Sequence, residues 1–220
     1  MNKFILLTLI ALVASKNVIL IGDSRYVVIA VSVMNFPYST ITQYYGTGTN
    51  VRSTSPRTYG GHSIQVTAQV GASSYTFSQG SDIYKSVHSQ LGSAASGTTV
   101  LLWLGINDYN AIENTFSFYS GLAKQYKTLN FYAIPITGVN ENVTWLRNSG
   151  AQNFNIKLAD KIKNARISNL QFKSILNGND VNTIIVDGKS VAIVNYMTGD
   201  GLHYTKDGYI QLWKAMSQKL

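Results

Sequence analysis

Cysteine is absent from this chain of 220 residues. Its absence excludes disulfides, thiolate metal sites and cysteine nucleophiles. Histidine is scarce, with three residues, and no His-Glu-x-x-His pair occurs, so no metal site of that kind is expected. Proline is scarce too, with three residues. No Pro-rich linker, repeat or charge block divides the chain, which implies one domain. Charged residues are 13% of the total, about half the usual share. With many Thr, Ser, Asn and Tyr, that composition fits an extracellular surface. No apolar run is long enough to span a bilayer as a helix. No recognition motif or basic-aromatic stripe accompanies the basic residues, which argues against nucleic acid as a partner.

Against these absences, 45% of residues are hydrophobic, enough for a full-sized core at this length. The chain opens Met-Asn-Lys and continues as an apolar or small run from Phe4 to Val13, then Ala14-Ser15. This pattern predicts a secretory signal peptide, residues 1–15, cut after Ser15, and a mature domain of 16–220. A buried first strand or an anchor is the competing reading. The net charge of +8, one less without Lys3, favours attraction to anionic surfaces. Lys157, Lys161, Lys163 and Arg166 make a modest basic cluster that reads as a solvated helix face.

Hydrophobic periodicity lays out alternating elements. Strands are expected at Asn17–Ile21, Ile64–Val70, Thr98–Leu104, Phe131–Ile136 and Thr183–Val186. Helices are expected at Asp82–Ala94, Ile112–Leu129, Ala151–Ala165 and Lys206–Leu220, the last capped by Thr205. Tyr26–Met34 also reads as a helix, although its β-branched residues leave a strand open. Residues 36–62 read as an irregular excursion, whose Tyr38, Tyr44, Tyr45 and Tyr59 could shape a pocket. Apolar strands alternating with helices imply an α/β fold with a buried parallel sheet, whose site lies at the carboxyl ends of the strands.

Four segments occupy such positions. Gly22-Asp23-Ser24-Arg25, Gly71 and Gly105-Ile106-Asn107-Asp108 follow expected strands, and Asp200-Gly201-Leu202-His203 precedes the last helix. Each has an ordinary explanation alone. Ser24 could cap a helix, and Asn107-Asp108 and Asp200-Gly201 are turn sequences. Together, and in order, they resemble the conserved blocks of the SGNH/GDSL hydrolases: Gly-Asp-Ser, a lone Gly, Gly-x-Asn-Asp and Asp-x-x-His. The usual Gly-Asp-Ser-Leu reads Gly-Asp-Ser-Arg here, a departure at a non-catalytic position that could bear on substrate contacts.

A serine hydroxyl needs a base to take its proton as it attacks, and His203 suits that task. Asp200, three residues earlier, can fold back on the other ring nitrogen and fix its tautomer. The resemblance implies Ser24, Asp200 and His203 as the catalytic triad. It assigns the oxyanion hole to the Ser24 and Gly71 amides and the Asn107 side chain. Asp23, Gly105 and Asp108 are read as supporting residues, with Asp23 fixing the loop as a hydrogen-bond acceptor. It also implies a three-layer α/β/α sandwich with a parallel five-stranded sheet in flavodoxin-like order.

His62 and His88 read as structural or exposed, and Trp103 and Trp213 as core. Trp145 stands in a loop-like segment where it could line a pocket. Gly-x-Ser-x-Gly is absent, and Gly188-Lys189-Ser190 lacks the first glycine of a phosphate loop. Asn142-Val143-Thr144 is a glycosylation sequon. The expected activity is that of a secreted serine esterase with no metal or organic cofactor. It would hydrolyse acyl esters, acetyl esters of carbohydrate first, on small-molecule or polysaccharide substrates. The alternatives are a lipase, lysophospholipase or thioesterase acting on longer chains, a peptidase or amidase, or a catalytically silent glycan-binding protein on the same scaffold.

Overall fold

The computed structural model describes residues 15–36, 50–53, 55–108, 110–142 and 147–220. Most of the expected signal peptide, Tyr38, Tyr44, Tyr45, Trp145 and part of the sequon lie outside these residues.

Five parallel strands form the centre: β1 (Asn17–Gly22), β4 (His62–Gln69), β5 (Thr99–Trp103), β6 (Asn130–Ala133) and β7 (Leu170–Phe172). Their spatial order is β4-β1-β5-β6-β7, the flavodoxin-like order expected. The chain moves outward from β1 to β4, then back across β1 to β5. Parallel crossovers are right-handed as a rule, so connections that run in opposite directions put helices on both faces. Every residue of β5, and β1 from Val18 to Gly22, is buried, so their uniformly apolar sequence follows from burial on two faces.

Two expectations need correction. The fifth parallel strand is β7, not Thr183–Val186. The latter belongs to β9 (Asp180–Val186), which pairs antiparallel with β8 (Leu176–Asn177) and β10 (Lys189–Ala192) in a separate three-stranded sheet. At three residues, β7 is too short to carry a periodic signal. The excursion at 36–62 is not irregular throughout. β2 (Asn50–Arg52) and β3 (Arg57–Tyr59) pair antiparallel with the outer edge of β4 and cover what would be an open strand edge. Tyr59 lies opposite His62, at the amino end of β4, and meets Trp213 edge-on at 6.1 Å. The seven residues from there to Gln69 span about 20 Å of strand, so Tyr59 is remote from the carboxyl edge and shapes no pocket there.

The helices are α1 (Ser24–Val28), α2 (Asp82–Gly92), α3 (Ile112–Gln125), α4 (Asn148–Ala165) and α5 (Lys206–Ser217). The stretch after α1, Ile29–Val33, is π-helical, with the Met34 amide donating to the Ile29 carbonyl at 3.0 Å. Tyr26–Met34 is therefore helical, despite its valines. α5 starts where expected, its Thr205 hydroxyl accepting from the Gly208 amide. On α4, Phe154, Leu158 and Ile162 face the core as their fourfold spacing implies. Lys161, from the basic face of the same helix, pairs with Glu113 of α3 at 2.6 Å. Trp103 and Trp213 are buried.

Phe154 is 2% exposed and Ile156, two residues on, is 41% exposed. Phe154→Ala is expected to lower the unfolding free energy by about 3–5 kcal/mol, and Ile156→Ala by less than about 0.5 kcal/mol. Urea unfolding of the two variants beside the wild type measures the difference.

Candidate active site

Strand register brings the first three segments to one edge. Gly22 lies opposite Ala68 of β4 and Trp103 of β5. Ser24, Gly71 and Asn107 stand two, three and four residues beyond these registered positions. They leave the sheet at its carboxyl edge, where the strand order reverses and such folds open a crevice.

Each loop is held by its own sequence. The Gln69–Ala72 turn closes through the Ala72 amide on the Gln69 carbonyl, at 3.1 Å. Gly71 occupies its third position with φ of 71°, a left-handed conformation that glycine adopts without penalty. Asn107 donates from Nδ2 to the Ala72 carbonyl at 2.9 Å, tying the third loop to the second and leaving one N–H of its amide for another acceptor. Asp108 is buried and accepts from the Ser74 amide at 2.5 Å and the Thr115 hydroxyl at 3.4 Å. Burial pushes its carboxyl upward, and these hydrogen bonds offset part of that effect. At Gly105, φ is 119° and a Cβ would lie 2.6 Å from the Phe154 ring, so a side chain would both strain the backbone and force that ring to shift.

Asp23, not Ser24, caps α1. Its Oδ1 accepts from the Arg25 amide at 3.1 Å. The Ser24 hydroxyl is thereby left for another partner, and that partner is His203: Oγ and Nε2 are 2.9 Å apart across 179 positions of sequence. The Ser24 amide stands at the first position of a helix, where no intrahelical acceptor exists.

His203 comes from a tight loop organised by Asp200. One carboxylate oxygen of Asp200 accepts from the Leu202 and His203 amides, at 2.9 Å each, and from the Thr198 hydroxyl at 2.7 Å. The other lies 2.6 Å from His203 Nδ1. A carboxylate can only accept, so Nδ1 carries the proton and Nε2 is left to accept from Ser24. Burial raises the Asp200 pKa, but the His203 and Leu202 amides, the His203 ring and Thr198 outweigh it and hold the carboxyl well below its ordinary range. Tyr204, next in sequence, is buried and places its hydroxyl 2.7 Å from both Thr137 Oγ1 and the Gly138 carbonyl. Burial pushes its phenol up to about 12.

Arg25 requires a correction. The sequence left it open to substrate, but it is 1% exposed. Its guanidinium grips Asp23 by two bonds, Nε to Oδ1 at 2.8 Å and the second nitrogen to Oδ2 at 2.5 Å, and lies 4.2 Å over the Trp103 ring. Burial alone would lower its pKa, yet the Asp23 carboxylate raises it above the ordinary value. Thr198 was not legible as a site neighbour, because a threonine two residues before an aspartate is ordinary turn sequence. His62 and His88 lie outside the constellation. His62 is buried against Trp213, and Nδ1 of His88 is 2.7 Å from the Tyr126 hydroxyl. Among the described residues no group of three His, Cys, Asp or Glu side chains could hold a metal ion.

No family model matches this chain, and no curated protein matches it. Solved structures do. A provisionally named platelet activating factor from Streptococcus pneumonia superposes with a TM-score of 0.61 at 18% identity, over 95% of this chain and 86% of that one. A provisionally named GDSL-like lipase from Bacteroides ovatus gives 0.54 at 15% identity, over 94% of this chain and 52% of the other. Phospholipase A1 from Streptomyces albidoflavus gives 0.50 at 13% identity, over 94% and 100%. The fold is therefore that of the SGNH/GDSL hydrolases.

A carboxylate with a depressed folded-state pKa stabilises the fold above its unfolded value, about 3.9 for Asp, and that stability is lost as pH falls toward the folded value. Asp200→Asn removes this contribution. Its melting temperature should fall less steeply than that of the wild type between about pH 4 and 2, as followed by circular dichroism.

Proposed function

We propose that the chain is a secreted serine esterase that hydrolyses short acyl esters, acetyl esters of carbohydrate first. The observation that carries the reading is the chain of contacts from Ser24 Oγ to His203 Nε2, at 2.9 Å, and from His203 Nδ1 to Asp200, at 2.6 Å. A nucleophile, a base and a group that orients the base stand in line.

In this reading Ser24 attacks the ester carbonyl as its proton passes to His203 Nε2. The Ser24 and Gly71 amides and the free N–H of Asn107 receive the oxyanion. The tetrahedral intermediate collapses, the alcohol leaves with the proton from His203, and the acyl group stays on Ser24. Water then gives up a proton to His203 and attacks the acyl-enzyme; the second intermediate collapses by breaking its bond to Ser24 Oγ, which takes the proton back from His203 as the acid leaves. Asp200 holds the ring and stabilises the imidazolium without taking a proton, consistent with its depressed pKa. These steps use side chains and backbone only. Asp23, Gly105 and Asp108 support the loops rather than the reacting atoms.

A second reading, a lipase on longer acyl chains, is favoured by the fold neighbours named as a lipase and a phospholipase. Hydrolysis of p-nitrophenyl esters of increasing chain length separates the two, and acetate release from acetylated xylan, pectin, chitin and peptidoglycan narrows the first. Secretion rests on residues 1–15. A mature protein from culture medium should begin at Lys16, and Edman sequencing reads this directly. Among the described residues no helix is long and apolar enough to cross a membrane.

Ser24→Ala should lower kcat on p-nitrophenyl acetate by about 10⁴-fold or more, and Asn107→Ala by about 10²–10³-fold. Equal rates in the wild type and Ser24→Ala would leave the scaffold without this activity.

A further inference from the structure

Arg25 is one of the largest side chains fully buried in the protein, and it follows the candidate nucleophile directly. The usual residue at this place in the resembled motif is leucine, which needs no partner. An arginine there demands one, because a buried guanidinium without a counter-charge is strongly destabilising. Its partner is Asp23, on the other side of Ser24. The backbone between the two is thereby closed into a ring, with the Asp23 carboxylate accepting from the Arg25 amide, its Nε and one terminal nitrogen. A planar fork that grips both oxygens fixes orientation as well as distance.

The clamp is also tied outward. The guanidinium lies on the Trp103 ring, and Trp103 ends β5, the strand that delivers Asn107. Trp103 is anchored in turn, its Nε1 donating to the Pro135 carbonyl at 2.9 Å, and Tyr26 packs edge-on against its ring at 5.3 Å. The remaining terminal nitrogen of Arg25 has no partner among the described residues. Charge balance alone would be met by a lysine, and packing alone by leucine. The two-bond grip and the ring contact together require arginine.

We propose that Arg25 is a positioning residue, whose clamp on Asp23 and stack on Trp103 hold the Ser24 hydroxyl and amide in reactive register with His203 and Asn107. The inference rests on the serine-nucleophile reading above. It separates this chain from relatives that carry leucine: here the turn before α1 is set by a buried ion pair.

The test is the rate at which a fluorophosphonate probe labels Ser24, with kcat and KM on p-nitrophenyl acetate measured alongside. The proteins are the wild type, Arg25→Leu, Arg25→Lys, Ser24→Ala and Leu158→Ala, the last a core variant on α4. Labelling per folded molecule, with the folded fraction taken from circular dichroism, should fall about tenfold to a hundredfold in Arg25→Leu. It should fall less in Arg25→Lys and stay at the wild-type rate in Leu158→Ala. The loss should appear in kcat, with KM changed less than about threefold. Wild-type labelling in folded Arg25→Leu overturns the inference and leaves the esterase reading standing. Should Arg25→Leu not fold, Arg25→Lys decides by the same criterion. If neither folds, the role is structural and the inference fails. A wild type labelled no faster than Ser24→Ala sinks the nucleophile reading and this inference with it.

Discussion

β1 lies between two parallel neighbours, β4 and β5, and the positions of the functional groups follow from that arrangement. Its residues from Val18 onward are buried, and it pairs in register with β4 from Asn17 to Gly22 and with β5 from Val18 to Gly22. Register fixes where three loops begin, and short turns fix how far each travels. Ser24, Gly71 and Asn107 thus meet at one edge, although they span more than eighty positions of sequence. Asp200 and His203 arrive from elsewhere, on the loop immediately before the closing helix.

The loops are short and are bonded both within themselves and to one another. Asn107 holds the Gly71 turn through Ala72, Asp108 holds the same segment through Ser74, and Asp200 gathers two amides and a hydroxyl. In the proposed reaction, dipoles held in advance by such bonds need not reorient as charge develops. Asp200 shows the trade in small form. It is half-exposed at 51%, yet its bonds keep it ionised and hence able to hold His203 in one tautomer. Arg25 and Asp23 carry the same logic inward, where burial makes a partner obligatory.

Much of this was legible in the sequence. The apolar runs of β1, β4 and β5 read as strands because a parallel sheet needs no polar face. The fourfold spacing on α4 and the Thr205 cap of α5 read as helix signals. The class of fold followed from alternation, and the strand order from the resemblance. β7 was not legible, since three residues carry no period, and the stretch 183–186 took its place by looking equally apolar. Nor could the sequence say that part of the 36–62 excursion pairs with the edge of β4, because Thr and Tyr serve strands and loops alike.

By itself, the sequence determined the residue types available for chemistry: one Gly-Asp-Ser, one Asn-Asp after an apolar strand, one Asp-x-x-His, and no cysteine. It could name Ser24 and His203 as candidates because local context, a strand end and a helix entry, is written in adjacent residues. Tertiary structure alone decided that Asp23 rather than Ser24 caps α1, that Arg25 turns inward and not toward substrate, and that Tyr59 lies at the wrong end of its strand. The reason is the same in each case. Caps, burial and distance depend on which surfaces meet, and partners far apart in sequence, such as Trp103 for Arg25 and Trp213 for Tyr59, leave no mark on the local pattern.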